Sequence, residues 1–287
     1  MTKRLTVCAV GVVVTLSFLS MAYSQVRQPG AVYDSDRKGE PPGPAPRRDI
    51  SGVWEPAESP SSGIQADGAL LKPSRGRPQD ELPYTELGRK TFLSRKPSVG
   101  VTMVPPALTD DPVKVGVTGT GCDPIGFPRL MLWNYRTSRI IQTPENVVVL
   151  YELNHKWRVI RTDIPALPKE FDEPRWFGYS VGTWEDDYTF VVHTAGIDDR
   201  TWLDAAGRPH SDQLRVEERY QRTDREHLLV TLTVDDPVMY TQPWMALKIS
   251  LRLQSPNFDI REMECSPSET ALYNRLFAIP ASESPQP

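Results

Sequence analysis

The chain has 287 residues, 24% of them charged, and a formal net charge of −4 at pH 7. No basic stripe or aromatic-interleaved basic patch runs along it, which argues against nucleic acid as a partner. Its 28 prolines gather in the N-terminal half and the tail, the mark of loops and linkers, and beyond the N-terminus no stretch is long and apolar enough to cross a bilayer.

Residues 1–24 read as a secretory signal: Lys3 and Arg4 open it, residues 5–19 are apolar, and Ala22-Tyr23-Ser24 sets small residues around a cleavage point. An uncleaved anchor is the competing reading, and the one way this chain would meet a membrane. Export leaves Cys122 and Cys265 in an oxidising compartment, where one disulfide competes with two buried thiols. Neither cysteine has a Cys or His neighbour at zinc-site spacing, so no metal or cofactor is expected. Residues 25–49 are polar and proline-rich and read as a disordered lead-in, and residues 280–287 as a disordered tail.

Between them lies a single β-rich domain, 50–279. Its first strand carries Gly52-Val53-Trp54, and a short helix is expected over 84–94. Strands follow at 130–133, 139–143, 146–153 and 156–162, with turn signals at Pro144-Glu145 and Asn154-His155. Residues 177–185 and 188–194 form a hairpin about Asp186-Asp187, rich in β-branched and aromatic residues. The polar loop 195–212 is longer than compact β folds usually hold, which marks it as functional or disordered. Strands at 213–222, 227–234, 244–253 and 258–263 complete the set, and 268–277 reads as a closing helix. About ten short strands without crossover helices make an all-β fold. It is an antiparallel meander, closed into a lipocalin-like barrel or folded as a sandwich.

Alternation along a strand decides which residues meet the core. In 244–253, Met245, Leu247, Ile249, Leu251 and Leu253 share a face. In 213–222, Leu214, Val216, Glu218 and Tyr220 share one, so Glu218 is a carboxylate aimed inward, costly unless paired. Two readings follow. Glu218 is a general acid or ligand-holding group with a raised pKa, or it is half of a structural pair with a buried arginine such as Arg129 or Arg158. In the loop, His210 titrates near neutrality and can act with Asp204 as an acid/base pair. Asp198 and Asp199 can instead hold a cation with it, or the loop's Asp, Gly and Pro serve turn geometry alone. His193 shares a strand face with Thr189 and Val191. The catalytic candidates are therefore Glu218, His210 and Asp204, and the ligand-facing candidates Arg129, Trp184, Trp202, Tyr220 and Trp244. No nucleophile elbow or phosphate-binding glycine loop is present.

Gly52-Val53-Trp54, repeated as Gly182-Thr183-Trp184, resembles the first-strand signature of lipocalins and related calycin barrels, which implies a tryptophan closing one end of a barrel. Trp184-Glu185, Val191-Val192, Thr201-Trp202-Leu203-Asp204, Gly207, Pro209-His210-Ser211, Glu218-Arg219-Tyr220, Asp236-Pro237 and Pro243-Trp244 together resemble a family of secreted bacterial proteins, over most of residues 50–265. Where that family's hairpin carries an aspartate, this chain has His193. The resemblance implies export and architecture, and no particular reaction. The expected function is an exported barrel that binds a small, largely apolar molecule in the periplasm or outside the cell. The alternatives are an acid/base enzyme (hydratase, isomerase or hydrolase) using Glu218 and His210 in one cavity, and an envelope structural protein without a ligand.

Overall fold

A computed structural model describes residues 39–57, 82–105, 108–113, 124–132, 135–264 and 266–280. The signal segment, Cys122 and Cys265 lie outside the described residues, and the disulfide expectation with them.

Nine strands pair in chain order: β1 (Gly52–Pro56), β2 (Ser138–Gln142), β3 (Asn146–Tyr151), β4 (Trp157–Arg161), β5 (Tyr179–Trp184), β6 (Thr189–Ala195), β7 (Arg215–Arg222), β8 (His227–Asp235) and β9 (Trp244–Leu253). β9 returns to β1, with Trp54 opposite Leu253, so the sheet closes into a barrel and not a sandwich. The expected wholly antiparallel meander needs one correction. β4 and β5 run parallel, at Ile160↔Ser180 and Arg161↔Val181, while every other junction is antiparallel. The reason is parity, because a closed ring with an odd number of strands cannot alternate direction all the way round. The long connection 162–178 supplies the return.

The strands form where alternation is strongest. β8 buries Leu228, Val230, Leu232 and Val234 and leaves the residues between them half-buried, a period of two. In β9 the expected single face breaks. A bulge between Leu232 and Thr233 of β8 shifts the register, so Trp244 and Ala246 turn inward and Met245 is exposed, while Leu247, Ile249 and Leu251 stay in the core. The strand expected at 258–263 shrinks to a bridge between Leu153 and Met263.

The largest departure is at 130–133. Arg129–Leu132 is one helical turn, α2, and all four of its residues are buried. With Ile125 and Phe127, both 0% exposed, it enters the barrel as a plug. A short apolar run does not distinguish a buried strand from a buried helix, and here packing inside the wall decides. The helix expected at 84–94 forms as α1 (Glu86–Ser94), with the Thr85 side chain accepting from Gly88 N at its start. The closing helix is α3 (Pro267–Tyr273), which runs on into a π-helical turn at Asn274–Ala278.

Candidate functional site

β7 carries Glu218 into the barrel, as alternation requires, and the residue is 0% exposed. Opposite it, β4 brings Arg158, and the two form a bidentate pair: Nη1 donates to Oε1 at 3.1 Å and Nη2 to Oε2 at 2.8 Å. Arg158 also donates to Tyr151 Oη at 3.2 Å, Ser180 Oγ at 3.0 Å and Thr194 Oγ1 at 3.1 Å. Tyr220 Oη donates to Glu218 Oε1 at 2.7 Å. The plug completes the enclosure, with the ring of Phe127 3.6 Å from the guanidinium carbon. Both carboxylate oxygens are thus occupied by a fixed cation and a phenol. Burial works against charge on Arg158, but the Glu218 carboxylate overcomes it and holds the guanidinium above its usual range. Burial pushes Tyr151 up to about 12, and Tyr220 also moves upward. Arg158 therefore stays charged, and Tyr151 and Tyr220 stay neutral, at neutral pH. Of the two arginines named from the sequence, Arg158 is the partner of Glu218, and Arg129 pairs instead with Asp111 through two bonds of 2.7 Å.

The loop after β6 is buried, and it is built from its own polar side chains. Asp204 Oδ1 accepts from the backbone of Ala206 and Arg208, both at 3.1 Å, and its other oxygen pairs with the Arg208 guanidinium. Asp236 anchors the far side, taking Ser211 N at 2.6 Å and Ser211 Oγ at 2.9 Å. Tyr240 Oη reaches Pro209 O at 2.9 Å. A loop buried this deeply needs such internal acceptors, because its backbone has no water. The guanidinium groups of Arg95 and Arg129 lie 5.0 and 5.9 Å from the ring centre of Trp202.

His210 is 2% exposed, and its bonds settle the tautomer. Nδ1 faces Ser211 O at 3.1 Å, a carbonyl that can only accept, so Nδ1 carries the proton. Burial lowers the ring's pKa, keeping it neutral, so Nε2 is an acceptor for the Thr201 hydroxyl at 2.7 Å, whose single proton it shares with Asp198 O at 3.1 Å. A hydroxyl donating to an imidazole is the arrangement of an activated nucleophile, but here a carbonyl and not a carboxylate stands behind Nδ1, and Thr201 is 1% exposed.

The proposed pairs are not brought into contact. Asp204 serves Arg208, His210 serves Thr201 and Ser211, and Glu218 serves Arg158 and Tyr220. The plug lies between the two networks: Gly126, at φ +71, presses on Thr201 so closely that a Cβ would sit 2.4 Å from its Cγ2, while Phe127 covers Arg158. The remaining ligand-facing candidates are packing aromatics. Trp244 meets Tyr240 edge-on at 5.3 Å, and half-buried Trp184 tilts against Phe190 at 5.2 Å. Trp54 is fully buried beneath the Arg222 guanidinium at 4.6 Å, and Arg222 in turn donates to Asp49, Asp224 and Arg225 carbonyls.

A cavity of about 740 Å³ lies on the other side of the wall. Its floor is the outward face of β5 to β8, with Val181, His193, Arg215, Glu217 and Asp235, and its roof is the return connection, with Leu167, Lys169 and Phe171. Phe171 stacks on Tyr179 with ring centres 4.9 Å apart, which holds the roof to the wall. Sequence reading missed this groove because it arises from the parallel β4 to β5 return, and strand partners are not written in a local pattern. Pro165 and Pro168 in an otherwise unassigned connection were the available signal. Among the described residues, no group of three or more His, Cys, Asp or Glu side chains is placed to hold a metal ion. Compared with known proteins, the chain matches no family model, no curated protein and no solved structure.

Proposed function

We propose that this barrel is an exported protein that binds a small molecule with a largely apolar body, and that it does so in the groove beneath residues 165–171. The observation that carries the reading is the groove itself: about 740 Å³, within the range of small-molecule sites, with apolar side chains and a few charged groups around it. The barrel interior supports binding less well, since Glu218 and the plug already occupy one another's polar and apolar surfaces. For the acid/base alternative, Glu218, His210 and Asp204 are buried and separately engaged, and no observation favours it. Export rests on residues 1–24 and predicts a mature chain beginning near Gln25.

A thermal-shift screen of soluble apolar molecules tests the reading. Ligands should raise the melting temperature of the wild type, and Leu167→Asp, which puts a charge on the half-buried apolar roof, should abolish the rise while leaving the unliganded melting temperature nearly unchanged. A screen without hits counts against binding altogether. Hits that survive Leu167→Asp place the site elsewhere.

A further inference from the structure

The groove also holds charges that the fold does not use. Arg215 opens β7 on the outward face, and Lys169 descends from the roof. Neither forms an ion pair with another described residue, although Asp235 stands directly opposite Arg215 in the strand register. Glu217, the next outward residue of β7, lies 3.7 Å from Arg219, whose closer partner is Glu185. Two cations with no ion pair among the described residues therefore share the groove with two carboxylates, Asp235 and Glu217. Beside Lys169 the roof is otherwise apolar where it lines the groove, with Pro165, Leu167 and Phe171.

We propose that the groove selects an amphipathic carboxylate, its apolar body laid against Leu167 and Phe171 and its carboxylate held by Arg215 with Lys169 beside it. The inference rests on the binding reading above and names the ligand class for the same site. The planar fork of Arg215 matches a carboxylate through two parallel bonds, while the Lys169 ammonium adds a point charge without directional demand. A neutral analogue leaves both cations without a counter-charge. A cationic analogue meets both cations at the carboxylate position, with Asp235 and Glu217 left to receive it.

Calorimetric titration of the full chain with decanoate, decanol and decylamine tests this. The wild type should bind decanoate about tenfold more tightly than decanol, a gap of one charge-assisted contact, and should bind decylamine more weakly than either. Arg215→Gln should close the gap by weakening decanoate alone, and Lys169→Gln should narrow it; both side chains are exposed, so neither change threatens folding. Equal binding of decanoate and decanol, or a gap that survives in both variants, overturns the anionic assignment and leaves groove binding standing. Absence of binding by all three probes also overturns it, and the broader apolar screen then decides separately whether the binding reading falls too.

Discussion

At the scale of single residues, the inward carboxylate of β7 is governed by what lies across the barrel. Breaking a buried ion pair leaves one charge in a medium that cannot solvate it, which costs more than the pair ever contributed. Glu218→Gln keeps the shape of the side chain and leaves the Arg158 guanidinium without its counter-charge. Urea unfolding should show a loss of about 3–5 kcal/mol, and the apolar replacement Arg158→Met with Glu218→Leu should recover most of it. A Glu218→Gln variant as stable as the wild type would mean the pair does not govern the interior. His210 gives a prediction in pH. Its folded pKa lies below the ordinary 6.5 because the ring is buried, so the unfolded chain takes up the proton first. Its contribution is complete above pH 6.5 and is lost as pH falls from 6.5 through the depressed folded value, with a slope of up to about 1.4 kcal/mol per pH unit. Unfolding free energies at pH 7.5 and 5.5 should therefore differ by less in His210→Gln than in the wild type. The exposed or half-buried His155, His193 and His227 are common to both proteins and cancel in the comparison.

At the scale of elements, α1 shows how a short helix is seated by its first turn. Thr85 caps it and also donates to Val238 O at 2.7 Å, and Gly88 brings the helix backbone against the turn after β8. A Cβ at Gly88 would lie 2.1 Å from Met239 O, a backbone atom with little room to move. Gly88→Ala improves helix propensity yet should destabilise the protein by about 1–3 kcal/mol, since overpacking outweighs the fraction of a kcal/mol gained from propensity. Hydrogen exchange should show the loosening over 86–94 and 236–240, and unchanged protection in both segments would refute the seating argument. Element identity was legible wherever periodicity was long: β6, β7 and β8 and the Asp186-Asp187 hairpin stand within a few residues of the pattern. It failed at Arg129–Leu132, where a short apolar run carries no period, and in β9, where Ala246 is an extra residue against Leu232 and Thr233 of β8 and Met245 is turned outward. A bulge belongs to a pair of strands, and one strand's sequence does not display it.

At the scale of the whole molecule, closing nine strands into a ring forces one parallel junction, and that junction forces a long return outside the wall. The topology thus creates two environments on opposite faces of β5 to β8: an interior filled by the plug and the Arg158 network, and an exterior groove roofed by the return. The inward direction of Glu218 was legible because alternation is a property of one strand, and its occupation by Arg158 was legible only as one of two arginines because pairing across a barrel depends on closure. The groove was not legible at all, since it needs four strands and a connection to be assembled before any of its residues are neighbours. If the wall separates the two environments energetically as well as spatially, mutations should respect it. Arg158→Met with Glu218→Leu alters only the inner face and should leave the thermal shift produced by a groove ligand intact. Phe171→Ala removes the half-buried ring that stacks on Tyr179 and should weaken that ligand about tenfold, the loss expected for truncating an aromatic contact, while changing stability little. The reverse pattern, with ligand response lost on the inner replacement and kept without Phe171, would put the binding site inside the barrel and require the plug to move aside.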